Sequence, residues 1–360
     1  MVPIRAAKAW PWETSVGLAF GAHGEQRAVK KRITVVGAGI MGAWQALTLA
    51  RAGYDVMLVE GSAGNLDAAA SLYAGAMLAP YCEAEAGEPE LQSLGLRGLA
   101  LWQRHVPGVI SKGTLVLASP RDRPELMRFA RLTDGHEAAD AARIAELEPA
   151  FRGRYASGLF YPAEAHVVPE QAMRFLLDEA RSSGAEVRLN TRWTGEMGED
   201  QVVVDCRGLQ ARGELPSLRG VRGERIVVRT AEVELSRPVR LLHPRHPLYV
   251  VPWGDGRFMV GATVIEREDA GAVTVRSALE LLGMAYALHS GFGEAEIVDL
   301  GAGVRPAFPD NMPKAIVRGC RIYVNGAYRH GFLLAPVLAE AVAAYLATGE
   351  VNQEVLRVDG

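Results

Sequence analysis

Ile33-Thr34-Val35-Val36-Gly37-Ala38-Gly39-Ile40-Met41-Gly42 is the stretch that decides the fold. A short β-branched run reads as a buried parallel strand and leads straight into a GxGxxG turn. A helix is expected from about Met41 to Arg51, with Gly53 as its stop. Val56 to Val59 reads as a second strand that ends at Glu60. Together these make a βαβ unit. Gly37 permits the tight turn, Gly39 lets the backbone approach a pyrophosphate, and Gly42 lets helix and strand pack closely. The helix start, at Ile40 and Met41, presents free N–H groups and the positive end of the helix dipole to phosphates. The Glu60 carboxylate can accept from ribose hydroxyls and disfavours a 2′-phosphate. A dinucleotide is the expected ligand, and this unit alone does not choose NAD over FAD.

Working outward, the 360 residues suit two ordinary domains or one large interleaved α/β fold. At 49% hydrophobic and 22% charged, the chain has globular composition. Thirty-nine basic against 42 acidic residues leave a formal charge of −3, which offers no basic footprint for nucleic acid or an anionic membrane. Cys82, Cys206 and Cys320 are scattered and have no zinc spacing, so no metal is expected and a reducing cytoplasm fits. No apolar run approaches the length of a membrane span. Residues 1–31 stand apart and read as a poorly ordered N-terminal extension.

Further along, helices are expected at Leu91–Arg104, Arg123–Leu132 and Pro169–Ser183, and strands at Gly113–Ser119, Glu186–Leu189 and Gln201–Asp205. From Arg225 to Glu266 successive strands are expected, with Gly254-Asp255-Gly256 as a hairpin turn. Thr274 caps a helix reaching about Leu288. Strands near Ile297–Pro306, Ala315–Val317 and Ile322–Asn325 precede a last helix at about Ala335–Ala347. Parallel-sheet patterns at both ends, with an antiparallel segment between, indicate two interleaved α/β domains. One comprises residues 32–107, 160–224 and 301–360, the other 108–159 and 225–300.

Several distant segments choose the cofactor. They are Ala68-Ala69-Ala70-Ser71 through Ala76-Met77-Leu78-Ala79-Pro80, Tyr249-Val250-Val251-Pro252, Val260-Gly261-Ala262-Thr263, Gly303-Val304-Arg305-Pro306 and Tyr328-Arg329-His330-Gly331-Phe332-Leu333-Leu334. In this order the chain resembles the D-amino-acid-oxidase-type (DAO) flavoenzymes over residues 33–357, and most of all their glycine-oxidising branch, which serves thiamine biosynthesis. The resemblance implies a Rossmann-like, glutathione-reductase-type FAD-binding domain interleaved with an antiparallel-sheet substrate domain. It puts Ala69, Ala70 and Ser71 near the pyrophosphate, Ala76 and Met77 near the isoalloxazine ring, and the Val168 backbone on the adenine side. Gly208 keeps a turn contact, although Asp205-Cys206-Arg207-Gly208 departs from the usual Ala-Thr-Gly-like sequence. The segment His330, Gly331, Phe332, Leu333 and Leu334 precedes the last helix and offers N–H groups to the flavin N1/O2 edge.

At the substrate end the resemblance makes Arg305 the carboxylate-binding arginine and Tyr249 its hydroxyl partner. Arg329 stands near the pocket mouth, and Met77 lines the ring side. Glu83 and Glu85 read as solvated, with one of them alternatively bordering the entrance. Pro247 and Val264 depart from the glycine-oxidising pattern. Monomeric sarcosine oxidase carries its flavin-linking cysteine at the position of Gly303, so noncovalent FAD is expected. The implied reaction is FAD-dependent oxidative deamination of glycine with O2. Alternatives are another small amine (sarcosine or a D-amino acid), or a flavin-binding protein without turnover. A thiazole-synthesis partner and a homo-oligomer are also expected from the resemblance.

Overall fold

The computed structural model describes residues 31–62, 66, 69–86, 89–195, 201–269 and 271–359. The expected N-terminal extension lies, but for Lys31, outside the described residues. The chain opens with β1 (Arg32–Val36), α1 (Ile40–Arg51), β2 (Asp55–Val59), β3 (Met77–Leu78), α2 (Pro80–Glu83), α3 (Pro89–His105), β4 (Thr114–Ala118), α4 (Arg123–Leu132), β5 (Glu137–Asp140), α5 (Ala141–Leu147) and β6 (Ser157–Tyr161). It continues with β7 (Ala165–His166), α6 (Pro169–Ser182), β8 (Glu186–Arg188), β9 (Val202–Asp205), β10 (Arg219–Arg229), β11 (Val239–Leu242), β12 (Leu248–Gly254), β13 (Arg257–Gly261) and α7 (Val275–Leu288). It closes with β14 (Glu296–Ala307), β15 (Lys314–Arg318), β16 (Arg321–Asn325), α8 (Gly331–Thr348) and β17 (Leu356–Val358).

Two large sheets result. The first runs β17-β15-β16-β9-β1-β2-β8 and is parallel except for the β15–β16 hairpin. One face of its central strands (Ile33, Val35, Val56, Leu58, Val202, Val204) packs on α1, α3, α6 and α8, while the other (Val36, Val59, Val203) packs with Met57 and Trp193. The second runs β14-β10-β13-β12-β11-β4-β6-β5. It is antiparallel apart from one parallel pairing, β4 with β11, which brings chain from before α6 beside chain from after β9. The boundaries drawn at 224/225 and 300/301 fall inside β10 and β14. These two long strands pair with each other from Arg219–Ala307 to Arg229–Glu296. Both belong to the second sheet, and each is next in the chain to a strand of the first, β9 before β10 and β15 after β14.

Local signals account for the element ends. Thr274 accepts from the Ser277 N–H and starts α7. Asp255 and Gly256 both take positive φ in the β12–β13 hairpin, the conformation its Gly-Asp-Gly sequence favours. The expected last helix begins four residues early, at Gly331 rather than Ala335. Pro336 lies inside this helix, and proline lacks the N–H that would bond the carbonyl four residues back. That carbonyl belongs to Phe332, and the Trp102 indole N–H donates to it at 2.6 Å. A side chain from α3 thus replaces the missing backbone donor. By length and composition α8 could cross a membrane. Its apolar residues instead pack against α1 and α3 in the core around the first sheet.

Candidate active site

The C-terminal ends of β1, β2, β9 and β16 open into a cavity of about 1230 Å3, whose opposite wall is one face of the second sheet, from β10, β12 and β14. This is where parallel α/β sheets bind ligands. The cavity exceeds the roughly 300–1,000 Å3 of an ordinary small-molecule pocket. It is large enough for an extended cofactor and a small substrate together.

At one end stands Glu60. Its Oε2 accepts from the Ala38 N–H at 2.7 Å, and its Oε1 from the Ser62 N–H and hydroxyl at 2.9 and 3.1 Å. Beside it the cavity wall turns into α1. Gly37 has φ +96°, and its Cβ would sit 2.8 Å from the Cys206 carbonyl. A Cβ on Gly42 would lie 1.8 Å from the Gly37 carbonyl, so α1 can seat on β1 only with glycine there. Gly39 is different. Its Cβ would meet only Ser71 Oγ, at 3.5 Å, so it faces open space over the helix N-terminus. Ser71 Oγ accepts from the Ile40 N–H at 3.0 Å. These residues make an open cradle over the α1 N-terminus, with the Glu60 carboxylate beside it.

The cavity wall gathers Gly37, Gly39, Ile40, Met41, Glu60, Ala69, Ala70, Ser71, Ala76, Met77, Gly208, Tyr249, Arg305, Arg329, His330, Gly331, Phe332 and Leu333. Three expected positions fall off it. Gly42 packs helix on strand, as described. Val168 is the residue before α6, half-buried and away from the cavity. The wall near Glu60 is made instead by Thr191, Arg192 and Trp193, with Arg207 and Arg321 over the Trp193 ring at 5.1 and 4.8 Å. Their only signal in the sequence is their place after β8. Leu334 is the third. Its side chain is fully buried and its N–H is already bonded to the His330 carbonyl. His330 is the residue before α8, and its own N–H goes to Ala327. Gly331, Phe332 and Leu333, in the first helical turn, line the cavity, and amides of a first turn have no partner within the helix. The expectation that this segment precedes the helix is corrected accordingly.

At the other end, cross-strand register sets the face. Tyr249 of β12 lies opposite Gly261, and Gly261 opposite Arg225. The next row, Val250, Val260 and Ile226, turns to the core on the far side. Tyr249 has room because Gly75 carries no side chain; a Cβ there would lie 2.7 Å from its ring. Arg305 of β14 reaches along β10, where a Cβ on Gly223 would be 2.1 Å from its Nη2. It donates to the Thr263 carbonyl at 3.1 Å, and among the described residues no carboxylate pairs with it. Burial holds its pKa below the ordinary arginine value. Gly75 and Gly223 went unread in the sequence, because nothing local says which strand will lie opposite.

Of the two acids read as solvated or at the entrance, Glu83 is buried at the cavity wall. Its Oε1 accepts from Arg240, and its Oε2 lies 3.7 Å from Arg329 Nη2 and 3.5 Å from His330 Nδ1. Burial alone would raise its pKa. Arg329, Arg240 and His330 together bring it down to about 2. Burial lowers the His330 pKa to about 4, so its imidazole is neutral near pH 7. Glu85 does sit toward solvent, paired with Arg128. Pro247 and Val264 are exposed and off the cavity wall.

The sequence model of the DAO family, described as FAD dependent oxidoreductase, matches residues 32–345. The chain belongs to this family. The DAO fold and the cradle described above agree, and the cofactor of this DAO enzyme is FAD. Among relatives, a Rhizobium etli protein named as a candidate thiamine biosynthesis oxidoreductase, ThiO, is 50% identical over 325 residues, covering 90% of this chain and 98% of its own. The bifunctional protein ThiO/ThiG of Trichormus variabilis is 25% identical over 347 residues, 87% of this chain and 52% of that longer protein. In fold, glycine oxidase from Bacillus cereus superposes with a TM-score of 0.79 at 21% identity, covering 91% of this chain and 97% of that one. The protein is an FAD-dependent oxidoreductase of the DAO family, similar to ThiO and glycine oxidase.

Proposed function

We propose that the chain oxidises glycine at the Arg305 end of the cavity: glycine, O2 and water give glyoxylate, ammonia and H2O2. The observation that carries this reading is Arg305 itself. It is a guanidinium in the cavity wall with one backbone hydrogen bond and no carboxylate partner among the described residues. Such a group binds an anion, and its planar fork suits a carboxylate. Bound FAD supplies a two-electron acceptor for hydride. The protein's own contribution is position and field. Arg305 grips the substrate carboxylate, and the Tyr249 hydroxyl at the same end donates to it. The Cα–H then leaves as hydride while the amine lone pair closes the C=N bond, so no side chain has to remove a proton from carbon. The free amides of Gly331, Phe332 and Leu333 and the α8 dipole stabilise negative charge on their side of the cavity.

FAD is held without a covalent bond. A Cβ on Gly303 would lie 3.1 Å from the Tyr73 ring, so Tyr73 occupies the space a tethering side chain would need. The imine leaves by hydrolysis or passes to thiazole formation. The ThiO/ThiG fusion of Trichormus variabilis supports that link. Anaerobic titration with glycine tests the reading. Bleaching of the visible flavin band is expected. A band that persists with glycine but bleaches with sarcosine or a D-amino acid would move the substrate. A band that no amine bleaches would end the proposal.

A further inference from the structure

Behind the substrate end lies a cation that the proposed reaction does not use. Arg240 is on β11, opposite Tyr249 in the strand register, so both side chains leave the same face of the sheet. Arg240 is buried and is not part of the cavity wall. Its Nη2 donates to Glu83 Oε1. The other oxygen of Glu83 faces Arg329 Nη2 at 3.7 Å, an ion pair without a hydrogen bond. One carboxylate is therefore divided between a cation behind the wall and a cation in it.

Glu83 cannot easily turn away from this division. It ends α2, whose first turn is pinned by Glu164 Oε1, the acceptor for the Tyr81 and Cys82 N–H groups at 3.1 and 2.7 Å. Among the described residues Glu164 makes no ion pair with Arg240, whose carboxylate partner is Glu83. We propose that Arg240 is a positioning residue: by holding Glu83 Oε1 it keeps Glu83 from closing on Arg329, and so leaves Arg329 charge available to substrate beside Arg305. Without Arg240, Glu83 is a buried anion with one arginine in reach. A carboxylate and an arginine then pair through both oxygens. Arg329 would be drawn off the substrate end and neutralised.

The inference rests on the reading that this end takes a carboxylate. Its test is a double-mutant cycle on the flavin-loaded protein. The probe is acetate, the glycine skeleton without the amine, and the readout is perturbation of the flavin spectrum. Arg240→Met is expected to weaken acetate binding about ten-fold and to raise glycine KM in step, with kcat changed less. In a Glu83→Gln background there is no anion to close on Arg329, so adding Arg240→Met should move the acetate Kd by less than about two-fold. Arg240→Lys, which keeps the charge and one donor, should restore most of the binding.

The same loss in both backgrounds would mean that Arg240 acts by its field alone, and would overturn the proposal. So would an unchanged acetate Kd in Arg240→Met. Flavin content reports folding, and if Arg240→Met loses flavin the cycle is read with Arg240→Gln. Acetate that leaves the wild-type spectrum unaltered would sink the Arg305 reading itself, before any variant is compared.

Discussion

Arg305, half-buried, and Glu83, buried, are both charges at the cavity wall, and they differ in what the fold has already given them. Glu83 has Arg240, Arg329 and His330 around it; Arg305 has one carbonyl. Arg305→Lys removes the fork and keeps the charge, so glycine KM should rise about ten- to hundred-fold while flavin is retained. Steady-state kinetics with glycine would show it, and an unchanged KM would count against the role. The histidines give a pH signature. Burial lowers the pKa of both His166 and His330 to about 4, against 6.5 unfolded. Between those values the unfolded chain binds the protons and the folded chain does not, so stability falls as pH drops through that window. Each contributes a loss of about 2 kcal/mol at pH 5. Glu83 acts lower, because its stabilising charge is lost only as pH falls from about 4.5 toward 2. Urea unfolding at pH 7 and pH 5 should show a smaller difference for His330→Gln than for wild type. Arg305, Tyr249 and Arg329 were legible through the motifs around them. Glu83 was not, because its neighbours on the chain, Cys82 and Ala84, do not reveal that β11 and the β16–α8 turn will converge on it.

Among elements, β1, α1 and β2 were readable almost to the residue, since strand, glycine turn and helix cap are all local. The glycines separate by what a methyl would strike. Gly42→Ala would drive a Cβ into the Gly37 carbonyl, so loss of soluble, flavin-loaded protein is expected. Gly39→Ala has room, so it should fold and hold FAD more weakly. The ratio of visible flavin to protein absorbance, beside a melting curve, checks both; equal damage from the two would undo the distinction. α8 starts before the place expected, and Pro336 lies inside it. Pro336 is a local breaker signal, and the donor that cancels it, Trp102, comes from a helix more than two hundred residues earlier. Val168, which the resemblance puts on the adenine side, lies off the cavity wall, and the wall near Glu60 is built after β8.

Over the whole molecule, the two-sheet plan followed from the order of strand and helix patterns. The parallel β4–β11 pairing and the long β10–β14 pairing at the edge of the second sheet did not, because pairing partners leave no mark in single strands. Since the cavity is lined by both sheets, FAD should stabilise the molecule as a unit. At about 100 times its Kd it contributes about 2.7 kcal/mol, a rise in Tm of about 3–6 °C over the apoprotein. Calorimetry with and without FAD tests this, and a Tm that ignores FAD would contradict the site. The indole that completes α8 also stacks on Phe332, with ring centres 6.0 Å apart, and the Phe332 backbone borders the cavity. Trp102 is therefore a built-in lamp beside the cofactor: its fluorescence should dim when FAD enters and brighten when it leaves, so cofactor exchange can be timed in the unlabelled protein.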